Sequence, residues 1–139
     1  MYHIGYVSSA VNEFTKPELL SLLERSRDKN GRLGITGLLL YQGGNFLQVL
    51  EGDEESVRHL YEIIFEDPRH KDIYILFEEF IPEREFPNWS MAFRDLDTEE
   101  GRGLPGFSDF LAARWTEESV SANRSKARSM LAAFRENLR

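Results

Sequence analysis

The sequence predicts an α+β domain in which two helices cover one face of a single sheet. Three observations carry this. β-rich alternating segments and helix-periodic segments succeed one another in the order strand, helix, strand, strand, helix, strand. A Gly43-Gly44 pair between two β-rich runs marks a tight hairpin. The chain has 139 residues, 41% of them hydrophobic, enough for one domain with a real core and too few for two.

"YHIGYVSSA" alternates and forms the first strand. "TKPELLSLLERSRDKNG" forms the first helix. Thr15 and Glu18 make a capping box, Pro17 suits a first turn, and Gly31 is expected to close the end. Leu19, Leu22 and Leu23 form its apolar stripe, with Ser26 one turn on. "GITGLLLY" and "NFLQVLEG" are the hairpin strands. The "GITG" glycines read as close-approach positions, since no lysine follows to make a phosphate loop. "DEESVRHLYEIIFEDP" is the second helix, acidic at its start, with Val57, Leu60, Tyr61 and Ile64 inward. "DIYILFEEF" and "NWSMAFRDL" are the fourth and fifth strands, the latter with Trp89, Met91 and Phe93 on one face.

A Gly-rich linker ("EEGRGLPG") leads to two helical stretches, "FSDFLAARW" and "SVSANRSKARSMLAAFRENL". The whole is a ferredoxin-like β-α-β-β-α-β sheet with an extra strand and a C-terminal helical cap. The cap is required because Leu47 and Val49 point to the face that the first two helices leave open. Met130, Leu131, Phe134 and Leu138 are its expected stripe.

Composition removes several functions. No cysteine is present, so disulfides, thiolate metal sites and thioether-linked cofactors are out. His3, His59 and His70 show no ligand spacing, and no metal is expected. A net charge of −7 argues against nucleic acid. No apolar run approaches a membrane span and no signal peptide is seen, so a cytoplasmic protein is expected, with no membrane partner. Residues 119–139 carry five basic side chains against Glu136 alone, and this tail is expected to dock on the acidic body or on a partner.

Gln48 poses the chemical question. It shares a strand face with Phe46 and Leu50, and an unpaired buried amide costs roughly 1–3 kcal/mol. In this topology the first and third strands are neighbours. Tyr6, on a face with Ile4 and Ser8, can therefore meet Gln48, phenol to amide. One tyrosine still leaves the amide underused.

"IGYVSSA", "SRDKNGRLGITGLLLYQGGNFLQVLEG", "DPRH" and "FPNWSM" stand in one order, with 42 positions from Tyr6 to Gln48 and 41 from there to Trp89. In these pieces the chain resembles the BLUF family, blue-light sensors that use FAD. The resemblance implies a noncovalent flavin ring between the two helices, edge-on to Tyr6 and Gln48. Asn30 would hold the ring's carbonyl and N3 edge. Leu22, Leu39 and Phe46 would line the ring, and Ser26, Lys29, Asp67, Arg69 and His70 would lie toward the ribityl-phosphate end. Arg69 offers a fork matched to phosphate oxygens, while Lys29 departs from the polar or histidine residue expected beside Asn30.

By the same resemblance, Tyr6 gives an electron and a proton to the excited flavin and Gln48 relays that proton, with Trp89 or Met91 packing nearby. Residues 1–96 would be the sensor, and 97–139 a linker and helices packed on the sheet in the same unit. Such a chain is a photosensor rather than an enzyme. Its output is expected through a downstream signalling protein or a change of homo-oligomer, by way of strand five and the cap. A flavin-dependent redox enzyme is the alternative, without a nicotinamide fingerprint or an evident substrate acid or base. A ferredoxin-like hydrolase is a third reading, but "SSAVNEFTKPE" makes a poor anion loop.

Overall fold

A computed structural model describes residues 1–86, 92–95 and 116–137. The elements are β1 (Tyr2–Ala10), α1 (Lys16–Leu33), β2 (Thr36–Gln42), β3 (Asn45–Gly52), α2 (Glu54–Glu66), β4 (His70–Phe80), β5 (Ala92–Asp95) and α3 (Glu117–Asn137). The sheet order is β4-β1-β3-β2-β5. The first four strands pair antiparallel, and β5 joins β2 in parallel. The α+β, ferredoxin-like reading with an added edge strand is the observed architecture.

Local chemistry explains the elements. The Thr15 hydroxyl accepts from the Glu18 N–H, and the Glu18 carboxylate accepts from the Thr15 N–H, closing the capping box. Gly43 and Gly44 have φ of +53° and +87°, the left-handed pair that a two-residue hairpin needs. A Cβ on Gly37 would lie 1.9 Å from the Val49 carbonyl oxygen, so the close approach of β2 to β3 requires glycine there.

One expected boundary is corrected. Gly31 does not close α1; the helix runs on to Leu33, and Gly34, at φ +67°, is the left-handed cap. Gly31 and Gly34 are both permissive, and the turn into β2 selects the second. Asn30 is therefore held inside the last turn, where its carbonyl accepts from the Gly34 and Ile35 N–H groups.

The sheet has a core on each face. Tyr2, Ile4, Tyr6, Phe46 and Leu50 pack under α1 and α2 with Leu19, Leu23, Val57 and Leu60. Val7, Leu38, Leu40, Leu47 and Val49 face the other way and are covered by Phe86 and by Val120, Ala127 and Leu131 of α3. Each such aliphatic side chain contributes roughly 1.5–3 kcal/mol when fully buried. Leu131 belongs to the expected stripe. Val120 and Ala127 extend the contact toward the helix N-terminus. The side chains of Met130 and Phe134, all of Leu138, the "FSDFLAARW" segment and the Gly-rich linker lie outside the described residues. Arg128 Nη1 meets Glu79 at 2.6 Å, and Arg124 donates to the Ile75 carbonyl at 3.3 Å, so the basic tail docks on the body through β4.

Candidate functional site

Antiparallel pairing puts Tyr6 opposite Gln48, and Gln48 opposite Leu39, on the face beneath α1 and α2. The Tyr6 hydroxyl donates to Gln48 Oε1, and both residues are buried. The Tyr6 ring meets Tyr61 edge-on, with centroids 5.5 Å apart. Burial pushes the Tyr6 phenol far above its ordinary range, so it stays protonated.

These residues form the floor of a cleft of about 250 Å³ between the two helices. Leu22, Arg25, Ser26, Lys29 and Asn30 line one wall, at spacings that put them on one face of α1. Leu60, Ile63 and Ile64 of α2 line the other. Phe46, Ser8 and Leu39 complete the floor beside Tyr6 and Gln48, and Asp67, Arg69 and His70 close the end beyond α2. Asn30 is only 2% exposed, whereas Arg25 and Lys29 stand exposed at the mouth.

The end of the cleft is an organised turn. Asp67 accepts from the Arg69 backbone N–H at 2.9 Å and from Arg69 Nη2 at 2.6 Å. That pairing, first of all the side-chain hydrogen bond, pulls the Asp67 carboxyl down to about 2. His70 lies with Nδ1 3.4 Å from the Ser8 hydroxyl and its ring 5.2 Å from Phe46, and burial lowers its basicity.

The structure thus gathers around one cleft the residues singled out as flavin-facing, among them Tyr6 and Gln48. Trp89 and Met91 lie outside the described residues. Ser8, Arg25, Leu60, Ile63 and Ile64 also line the cleft without having been named for it. A signal existed for most. Ser8 shares the Tyr6 strand face, Arg25 is one turn from both Leu22 and Lys29, and Leu60 and Ile64 belong to the inward stripe of α2. Ile63, 41% exposed, carried none.

Fold and cleft together define an α+β domain with a cleft between two helices, its floor set by the buried Tyr6–Gln48 pair. The chain belongs to the BLUF family, "Sensors of blue light using FAD", whose model matches residues 1–92. It is similar to the blue light- and temperature-regulated antirepressor BluF of Escherichia coli, 39% identical over 60% of this chain and 20% of that protein. It is also similar to the photoactivated adenylate cyclase subunit beta of Euglena longa, 36% identical over 64% of this chain and 10% of that one. The chain thus spans a tenth to a fifth of the length of these curated relatives. Among solved structures, the dark state of the BLUF protein BlrB superposes with a TM-score of 0.75 at 31% identity, over 95% of each chain. A bacterial light-regulated adenylyl cyclase does so with 0.74 at 34%, over 80% of this chain and 32% of that one.

The chain is accordingly a blue-light photoreceptor domain, and FAD is its family's cofactor. The donor set suits that group. An isoalloxazine is flat, apolar at one end and edged with carbonyl and N–H groups at the other. The cleft supplies an apolar wall from α2, Leu39 and Phe46 on its floor, two buried amides, and cations at its mouth. Among the described residues, no helix is long and apolar enough to cross a membrane.

Proposed function

We propose that the flavin ring of FAD lies between α1 and α2 and that Tyr6 and Gln48 form the light switch. The supporting observation is the buried hydrogen bond from the Tyr6 hydroxyl to Gln48 Oε1 on the cleft floor. Asn30 meets the polar edge of the ring with its amide. Leu22, Leu39 and Phe46 exclude water from its faces. Ser26, Lys29, Arg69 and His70 lie toward the ribityl-phosphate chain, with Asp67 orienting Arg69.

When bound and excited by blue light, FAD supplies a strong one-electron oxidant. Everything else is the work of the chain. Tyr6 holds its proton on the phenol oxygen, aimed at Gln48 Oε1. A buried phenol does not release that proton to water, so the hydrogen bond is its way out. Gln48 has an acceptor at one end and donors at the other. Taking a proton at Oε1 while giving one up from Nε2, or turning end for end, reverses what it presents to its neighbours. That reversal is a two-state element with no net reaction.

The relatives pair such domains with effectors such as adenylyl cyclase. For this chain we place the sensor in residues 1–96 and the output in a partner protein or a change of homo-oligomer, with strand five and the helices beyond it as the route. Absorbance tests the reading. The purified protein should be yellow, release FAD on denaturation, and shift slightly to the red in blue light with recovery in the dark. A colourless protein that takes up no added FAD refutes it. Bleaching by a reductant substrate, without a light-driven shift, favours a redox enzyme instead.

A further inference from the structure

A second polar centre lies on the sheet face opposite the cleft. Glu51 stands three residues beyond Gln48 on β3, on the face of Leu47 and Val49, and is fully buried. Its carboxyl oxygens accept three hydrogen bonds: from the Thr36 hydroxyl at 2.8 Å, from the Glu85 N–H at 2.8 Å, and from the Phe86 N–H at 2.7 Å. Arg84 completes the group. Its Nη1 donates to the Thr36 hydroxyl at 2.8 Å and to the Glu51 carbonyl at 3.3 Å. Its Nη2 donates to the Gly34 carbonyl at 2.7 Å.

Four segments meet here: the end of α1, the start of β2, the end of β3, and the 84–86 turn that precedes β5. Three of them also serve the cleft, since α1 carries Asn30, β2 carries Leu39 and β3 carries Gln48. The other product is Phe86, 2% exposed, which the turn inserts into the core shared with Val120, Ala127 and Leu131 of α3. A buried carboxyl is a costly way to fasten a turn that apolar packing alone could hold. Fully satisfied polar networks instead fix one geometry and move as a unit.

We propose that Glu51, Thr36 and Arg84 form a positioning centre that carries a change at the cleft to the 84–86 turn, and through Phe86 to α3. This rests on the reading of Gln48 as the light switch. None of the three lines the cleft. Gln48 and Glu51 are only about 10 Å apart along one strand, so a twist at the first is felt at the second. The two directional bonds from the Glu85 and Phe86 N–H groups to Glu51 oblige the turn to follow. Gln48 supplies the two-state element that any coupling requires.

The test uses the full FAD-loaded chain and the variants Arg84→Met, Arg84→Lys and Glu51→Gln. Half-buried Arg84 is the safer site, and Arg84→Met decides if Glu51→Gln does not fold. The spectral shift should persist in every folded variant. Wild type should show a light–dark difference in hydrogen exchange at residues 84–86 and 117–137. Arg84→Met and Glu51→Gln should lose it while their dark exchange at 117–137 stays at the wild-type level, and Arg84→Lys should regain part of it. An undiminished difference in Arg84→Met overturns the inference. So does dark exchange in that variant raised to the lit level, which would make Arg84 a packing residue only. A wild type that shifts spectrally without any exchange difference at 117–137 also overturns it, leaving the switch intact. A wild type without a spectral shift removes the switch and this inference with it.

Discussion

Arg128 of α3 and Glu79 of β4 are joined at 2.6 Å, and the same guanidinium lies 4.9 Å above the Phe77 ring. His3 of β1 shares that carboxylate at 3.1 Å. Both partners of the ion pair are about half exposed. The pair and the cation–π contact together should therefore contribute about 1 kcal/mol or less. Arg128→Ala should raise hydrogen exchange in α3 with only a small drop in unfolding midpoint, and leave flavin binding unchanged. A weaker grip on flavin would mean that α3 supports the cleft directly.

Tyr6→Phe should retain FAD and lose the red shift. The ring and its packing on Tyr61 survive, while the proton and the bond to Gln48 go. Gln48→Leu should do the same through loss of the amide. A normal photocycle in either variant, recorded by difference absorbance, removes that residue from the switch.

Asn30→Ala should weaken FAD binding. A polar ring edge left short of partners in a buried cleft costs on the order of 1–3 kcal/mol, about 5- to 150-fold in Kd. Flavin titration by fluorescence reads this directly, and an unchanged Kd would show that the ring edge lies elsewhere.

The two glycines near the end of α1 should respond in opposite directions. Gly31 is inside the helix with nothing near its Cβ direction, so Gly31→Ala should stabilise by about 0.5–1 kcal/mol. Gly34, at φ +67°, should cost roughly 1–2 kcal/mol as Ala. Chemical denaturation of the two variants checks it. If Gly31→Ala destabilises more than Gly34→Ala, the helix ends at Gly31 after all.

Asp67 gives a pH dependence with a definite sign. Arg69 depresses its carboxyl from the ordinary 3.8 to about 2. A group depressed on folding stabilises the protein above its unfolded value and loses that contribution as pH falls through the folded one. The advantage of wild type over Asp67→Asn should thus be complete above pH 3.8 and fade toward pH 2. Unfolding midpoints that fall in parallel for both proteins across that range would refute the pairing.

Strand and helix order, the hairpin and the capping box are set by local patterns, and the sequence alone determined them. Alternation put Gln48 on one face with Phe46 and Leu50, and topology made Tyr6 its neighbour. The cleft residues were legible through the BLUF resemblance more than through their own chemistry, since Asn30 alone reads as a helix end. Tertiary structure decided what local patterns leave degenerate. Two glycines could end α1, and only the turn into β2 chose Gly34. Glu51 reads as one more acidic residue at a strand end. Its role appears only when Thr36, Arg84 and the N–H groups of Glu85 and Phe86 converge on it from segments up to 35 positions away. The α3 contact likewise includes Val120 and Ala127, because a helix with several half-apolar stripes presents whichever one the opposing core of Val7, Leu38 and Leu47 can bury. Periodicity fixes which residues share a face, whereas long-range packing selects the face that is used.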